Sequence, residues 1–111
     1  MHQFGDIVLV AFPFSDNSGY KKRPALVLSD FNDGDVLVAR ISTQTTESTF
    51  DIELRNWKES GLLALSFARL HKIATLNTSL VDRRLGKLSS SDIENVSLKL
   101  QALFNSIIKN T

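Results

Sequence analysis

The sequence predicts a mainly β domain closed by one C-terminal α-helix, arranged as a small β-barrel or curled sheet. Three observations predict it. Residues 1–88 form a series of short runs rich in Val, Ile, Leu and Phe, separated by Gly, Pro, Asn, Asp and Ser. One separator holds Asp33-Gly34, a dipeptide typical of tight β-turns. The last segment changes period: Ile93, Val96, Leu100, Leu103, Phe104 and Ile107 fall mostly three or four apart, the apolar face of a helix. Short strands need a second layer to bury their apolar face, and the helix supplies it. The expected organisation is a single domain over 1–111, with the barrel at 1–88 and the helix at 89–109.

The elements follow in order. "DIVLVAF" (6–12) is a β-branched run and reads as the first strand. "PFSDNSGYKK" (13–22) gathers Pro, Asp, Asn, Ser and Gly and reads as a loop, long enough to be functional. "PALVLS" (24–29) is the second strand, with Pro24 at its first position, where a missing N–H costs least. "FNDGD" (31–35) turns the chain, and "VLVARIS" (36–42) returns. This hairpin brings residues near 23 and 42 to one end of the sheet. "TQTTEST" (43–49) is a polar loop, and "FDIELRN" (50–56) alternates as a strand with one solvated face. After the turn "WKESG" comes a longer strand, "LSFARLHKIATL" (65–76), then "LVDRRLG" (80–86), a short strand or connection. Phe12 and Phe67 are expected in the core. In the helix, Ser91 and Glu94 have capping-box spacing, with Asp92 in the first turn and Lys109 near the far end, both matched to the helix dipole.

Composition narrows the function classes. A chain of 111 residues with 42% hydrophobic content builds one modest core and is not a disordered segment. Its formal net charge of +1 means that an anion site must be local. With no cysteine and two histidines, neither a disulfide frame nor a structural zinc site is expected. The first apolar run is too short to span a bilayer, and a soluble cytoplasmic protein is expected. The local charge is in "GYKKRPALVLS" (19–29), where Lys21, Lys22 and Arg23 lead directly into Pro24 and an apolar strand.

The order "GDIVLVAFPF", polar loop, "KKRPALVLS", hairpin, "ARISTQ", "GLLALSFARLHKIATL" and "LGKLS" resembles the MazF/PemK family of toxin endoribonucleases, from Gly5 to the final helix. The resemblance implies an SH3-like barrel, a homodimer, and cleavage of single-stranded RNA with no metal or other cofactor. It also implies one half of a type II toxin–antitoxin pair, neutralised by a cognate antitoxin that itself binds DNA. The family's catalytic arginine, from its Arg-Pro pair, matches Arg23. Its second catalytic residue is a threonine after the third strand. Aligned on Ile41, that position is Ser42, with Thr43 next, so the second hydroxyl is either of the two. Many members carry an arginine after the isoleucine that matches Ile73. This chain has Ala74 there, and Leu80 where a further arginine is common, and offers Arg69, His71, Lys72 and Arg83-Arg84 instead.

Such an enzyme must place the substrate 2′-hydroxyl in line, remove its proton, stabilise the phosphorane and protonate the leaving 5′-oxygen. An arginine suits the third of these roles, because its planar fork grips two phosphoryl oxygens and stays protonated. A donor aimed at developing charge contributes about 3–4 kcal/mol. The products would be a 2′,3′-cyclic phosphate and a 5′-hydroxyl. Arg23 with Ser42 or Thr43 are the catalytic candidates. Arginine is a poor general base because its pKa exceeds about 12, so His71 is a second candidate for the proton. Expected RNA contacts are Lys21, Lys22, Pro24, Gln44, Arg69, His71 and Lys72, with Phe14, Tyr20 and Trp57 as stacking platforms. Arg83-Arg84 are expected to serve the fold surface or a partner. The alternative is a non-enzymatic toxin or binding module of the same barrel, as in the CcdB-like gyrase poisons, or a member that has lost catalysis.

Overall fold

A computed structural model of the chain describes residues 1–13, 19–44 and 48–110, apart from the side chains of Pro13 and Tyr20. Among the described residues, six antiparallel strands, β1 (Asp6–Pro13), β2 (Tyr20–Asp30), β3 (Asp35–Ser42), β4 (Asp51–Leu54), β5 (Ser66–Asn77) and β6 (Val81–Lys87), precede α1 (Ser90–Lys109). They form one sheet in the order β4-β5-β3-β2-β1-β6. The mainly β class with a C-terminal helix therefore stands. The sheet is not closed into a barrel by a ladder: β4 and β6 are its two edges. The gap between them is covered by the turn after β4. There Gly61 and Gly86 pass backbone against backbone, so close that a Cβ on either would collide with a carbonyl of the other segment.

The β2–β3 hairpin turns through Asn32 at φ 58° and Gly34 at φ +95°. Asp30 accepts the N–H groups of His2 (2.9 Å) and Asn32 (2.9 Å), which hold its carboxyl below the ordinary value. Two apolar layers result. Ile7, Leu26, Ala39, Ile41, Leu54 and Leu70 meet Val96 and Leu103 of α1 on one side. Val8, Val10, Ala25, Val27, Val36 and Val38 fill the other. Phe12 is half-buried against the second layer and Phe67 is half-buried on β5.

Three expectations change. The loop over 13–22 is shorter at both ends, because Pro13 pairs with Tyr20, Phe12 with Lys21 and Ala11 with Lys22. Exposed lysines take strand geometry without burying their charge. Pro24 is therefore inside β2, at the point where the β3 ladder has already stopped at Ala25↔Arg40. The helix cap is Ser89, whose Oγ accepts the Asp92 N–H at 3.2 Å, instead of Ser91 with Glu94. Asp92 is buried and accepts the N–H groups of Arg55 (3.2 Å) and Asn56 (2.9 Å), so tertiary partners fix the cap register. Finally, Phe104 and Ile107 are 48% and 55% exposed, and Leu103 is the last buried residue of α1.

Candidate active site

β2 and β3 bring the predicted pair together. Arg23 and Ser42 each lie two residues beyond the last β2–β3 pair, Ala25↔Arg40, at the same end of the hairpin. Both line a groove of about 340 Å³ whose other walls are Pro24, Arg40, Ile41, Thr43, Gln44 and Arg69. Period-2 alternation puts Arg40 on the same face as Ser42, one step inward. β5 then sets Arg69 directly across from Arg40, and β4 sets Asp51 across from Arg69. The groove thus holds three guanidinium groups and the Ser42 hydroxyl on strand frames, with the Thr43 hydroxyl just beyond the end of β3.

One carboxylate meets this charge. Asp51, with a side chain 5% exposed, accepts Arg69 Nε at 3.3 Å through Oδ1, while its Oδ2 is buried without a hydrogen-bond partner. Among the described residues no carboxylate pairs with Arg23 or Arg40. Like charges directly opposed in a sheet are destabilising, and Asp51 offsets only one member of the Arg40–Arg69 pair, so the groove keeps a local positive charge.

The two hydroxyls differ. Ser42 belongs to β3, and its Oγ accepts the Gln44 N–H at 3.1 Å, which leaves its own proton free to donate. Thr43 lies past the strand end and is exposed. It forms part of the wall between the groove and an apolar pocket of about 400 Å³ lined by Leu9, Pro24, Leu62, Leu63 and Leu85.

The remaining candidates lie elsewhere. Lys21 and Lys22 precede Arg23 on β2 but do not line the groove, and Lys22 Nζ pairs with Asp82 at 3.3 Å. Trp57 is half-buried against the first apolar layer, with the Lys58 ammonium 5.9 Å from its ring centre. His71 does not line the groove. Its Nδ1 is 3.4 Å from Ser48 Oγ and 3.8 Å from Asp51 Oδ1. Lys72 follows it on β5 and is exposed. Arg84 pairs with Asp6 at 3.3 Å, and Asp6 also accepts the Gln3 N–H. Phe14 and the Tyr20 side chain lie outside the described residues. Among the described residues no group of three or more His, Asp or Glu side chains could hold a metal ion, and no helix is long and apolar enough to cross a membrane. Arg40 and Asp51 are absent from the sequence-level candidates. Alternation along "VLVARIS" points to Arg40, whereas Asp51 needs the pairing with β5.

No curated protein shows a significant match to the chain. Solved structures share its fold at low identity. An endoribonuclease in complex with its cognate antitoxin, from a mycobacterial species, is 16% identical with a TM-score of 0.74, covering 95% of this chain and 96% of that one. A MazE–MazF structure from Deinococcus radiodurans is 19% identical with a TM-score of 0.75, covering 94% and 96%. The Mycobacterium tuberculosis toxin MazF-mt6 is 19% identical with a TM-score of 0.69, covering 88% and 96%. A model of the PemK-like, MazF-like toxins of type II toxin–antitoxin systems matches residues 3–104, so the chain belongs to that family.

Proposed function

We propose that the chain is a metal-independent endoribonuclease toxin that cuts single-stranded RNA, in a sequence-specific way, and is neutralised by a cognate antitoxin in the cytoplasm. The observation that carries this reading is Arg23 and Ser42 lining one groove with Arg40 and Arg69. The substrate brings its own nucleophile, the 2′-hydroxyl. Arg23 grips the phosphoryl oxygens and gains strength as charge grows on them. Ser42 donates its free proton to another phosphoryl oxygen. The groove's guanidinium groups supply the charge neutralisation that a metal ion would otherwise provide. No group with a near-neutral pKa lines the groove among the described residues, so the 2′-hydroxyl proton leaves to solvent as the new P–O2′ bond forms, the 5′-oxygen takes a proton from solvent as the P–O5′ bond breaks, and electrostatic stabilisation carries most of the rate. The products are a 2′,3′-cyclic phosphate and a 5′-hydroxyl end.

Two mycobacterial structures of the same fold are described as endoribonucleases, one of them with its antitoxin, which favours the enzymatic reading over a non-enzymatic one. Exposed Leu63, Phe104 and Ile107 are apolar surface that a second copy of the chain or the antitoxin would cover. Purified protein incubated with a long single-stranded RNA in EDTA tests the enzymatic reading. Arg23→Gln is expected to lower kcat about 100-fold or more, as loss of a transition-state donor does. Ser42→Ala is expected to cost more than Thr43→Val. An intact rate in Arg23→Gln, or no cleavage of any RNA by the parent protein, overturns it.

A further inference from the structure

His71 lies two residues past Arg69 on β5 and does not line the groove. Its Nδ1 has two polar neighbours, Ser48 Oγ at 3.4 Å and Asp51 Oδ1 at 3.8 Å. Ser48 Oγ already accepts the Phe50 N–H at 3.2 Å, so its own proton is free for the imidazole. With the ring neutral, Nδ1 accepts that proton and Nε2 carries the ring hydrogen. Asp51 Oδ1 is then left to Arg69 Nε, at 3.3 Å. Arg69 is a wall of the groove, directly across from Arg40. The imidazole is thus one contact removed from a groove guanidinium, through a carboxylate oxygen that both side chains reach.

A protonated ring reverses these roles. Nδ1 becomes a donor, and Ser48 Oγ can accept from it only by turning its own proton away. A carboxylate is the stronger acceptor, and among the described residues Asp51 is the one carboxylate within ion-pair reach of the imidazole. The other charged groups on the packed elements are Arg69 and Lys72 of β5, Arg40 of β3, Glu53 of β4 with Arg55 just past it, and Lys99 of α1, which shares a cavity of about 470 Å³ with Asp51. Most are cations, and Glu53 is taken up by Arg55 at 3.8 Å. Arg69 and His71 both reach Oδ1 of Asp51, while Oδ2 is buried with no partner, so what an imidazolium gains Arg69 loses. We propose that His71 is a positioning residue: its protonation draws Asp51 away from Arg69, so the neutral ring keeps the groove in its cutting arrangement and the charged ring loosens it. The inference rests on the RNA reading above and adds a dependence on pH to it. A loosened Arg69 leaves the charge of the groove in place, so RNA binding holds or tightens on the acid side while kcat falls.

The test takes two readouts from about pH 8 to about pH 5, the range in which an imidazole titrates. The first needs no RNA: nitrogen-15 NMR of the free protein, following the Arg69 Nε–H signal together with the His71 ring. The Arg69 signal is expected to move with the same midpoint as the ring, and to lose that transition in His71→Gln. The second compares kcat on a cleavable RNA with affinity for a 2′-O-methyl oligonucleotide, which binds but cannot be cut, read by fluorescence anisotropy. Dividing the parent's kcat by that of His71→Gln at each pH removes the effects of pH on the substrate. That ratio is expected to fall roughly tenfold on acidification, inside the range that about 1 Å of misplacement costs, while the parent's affinity does not weaken relative to the variant's. An Arg69 signal that ignores the His71 titration overturns the coupling, whether or not RNA is cut. A flat kcat ratio overturns the positioning role, and tighter binding in acid alongside it would make His71 a direct RNA contact. An Arg69 signal that follows the ring in a protein that cuts no RNA retains the coupling and overturns the nuclease reading alone.

Discussion

Asp51 sits behind Arg69 with one oxygen bonded and the other buried without a partner. An asparagine there keeps the acceptor that Arg69 uses, and its NH₂ replaces the oxygen that no donor serves. Asp51→Asn therefore changes charge more than shape. Arg69 loses its counter-ion, so the groove becomes more positive while the guanidinium is held less firmly. The expected outcome is a split: RNA binding tightens or holds and becomes more salt-dependent, whereas kcat falls several-fold because a misplaced donor stabilises the transition state less well. Steady-state kinetics with anisotropy at several salt concentrations would check this. A variant that loses affinity and retains its kcat would show Asp51 to be a fold residue alone. Arg23 and Ser42 are legible in the sequence because each lies at the end of an apolar run that the Asp33-Gly34 turn sets side by side. Asp51 is not, because its role depends on a partner 18 residues away in the chain on another strand.

At the scale of the element, α1 is held by its first turn. Ser89 caps it, Asp92 accepts two backbone N–H groups from the exit of β4, and Asn56 Oδ1 accepts the hydroxyls of Ser89 (2.7 Å) and Ser91 (3.0 Å). The periodicity of Ile93, Val96, Leu100 and Leu103 is visible in sequence because a helix repeats its apolar face. The cap itself is not, because Ser89, Ser90 and Ser91 are equivalent in local propensity, and only the buried carboxylate of Asp92 selects among them. Ser89→Ala is expected to cost about 1 kcal/mol and Ser91→Ala less. Asp92→Ala leaves two N–H groups short of an acceptor inside the fold, and is expected to cost roughly 2–4 kcal/mol. Urea denaturation with unchanged m-values would rank them. Equal losses for Ser89→Ala and Ser91→Ala would mean that Ser91 caps the helix as much as Ser89 does.

The whole molecule depends on how an open sheet encloses a core. Five of the strands, the hairpin and the helix are readable from local pattern, because period and turn chemistry are local, whereas 80–86 reads equally as strand or connection and becomes β6 only through its pairing with β1. Closure is not, because it is made where two segments 25 residues apart cross at Gly61 and Gly86, and a glycine on an alternating strand has no distinguishing pattern. Gly61 also has φ +86°, so a substitution there mixes backbone strain with collision. Gly86 has no such φ, so Gly86→Ala isolates the collision of its new Cβ with the Ser60 carbonyl. Neither segment can retreat freely: Ser60 donates its hydroxyl to Asn56 O at 3.0 Å, and Leu88 donates its N–H to Gly5 O at 2.9 Å. Gly86→Ala is therefore expected to destabilise the fold by about 1–3 kcal/mol, the usual cost of overpacking, which lowers Tm by at least about 4–8 °C for a domain of this size. Gly34→Ala serves as the reference, since a Cβ there meets nothing within 4 Å and only its φ of +95° is unfavourable. Calorimetry on the two variants separates the effects. If Gly86→Ala melts with the parent protein, the edges of the sheet are not held at that crossing, and α1 alone must keep the core enclosed.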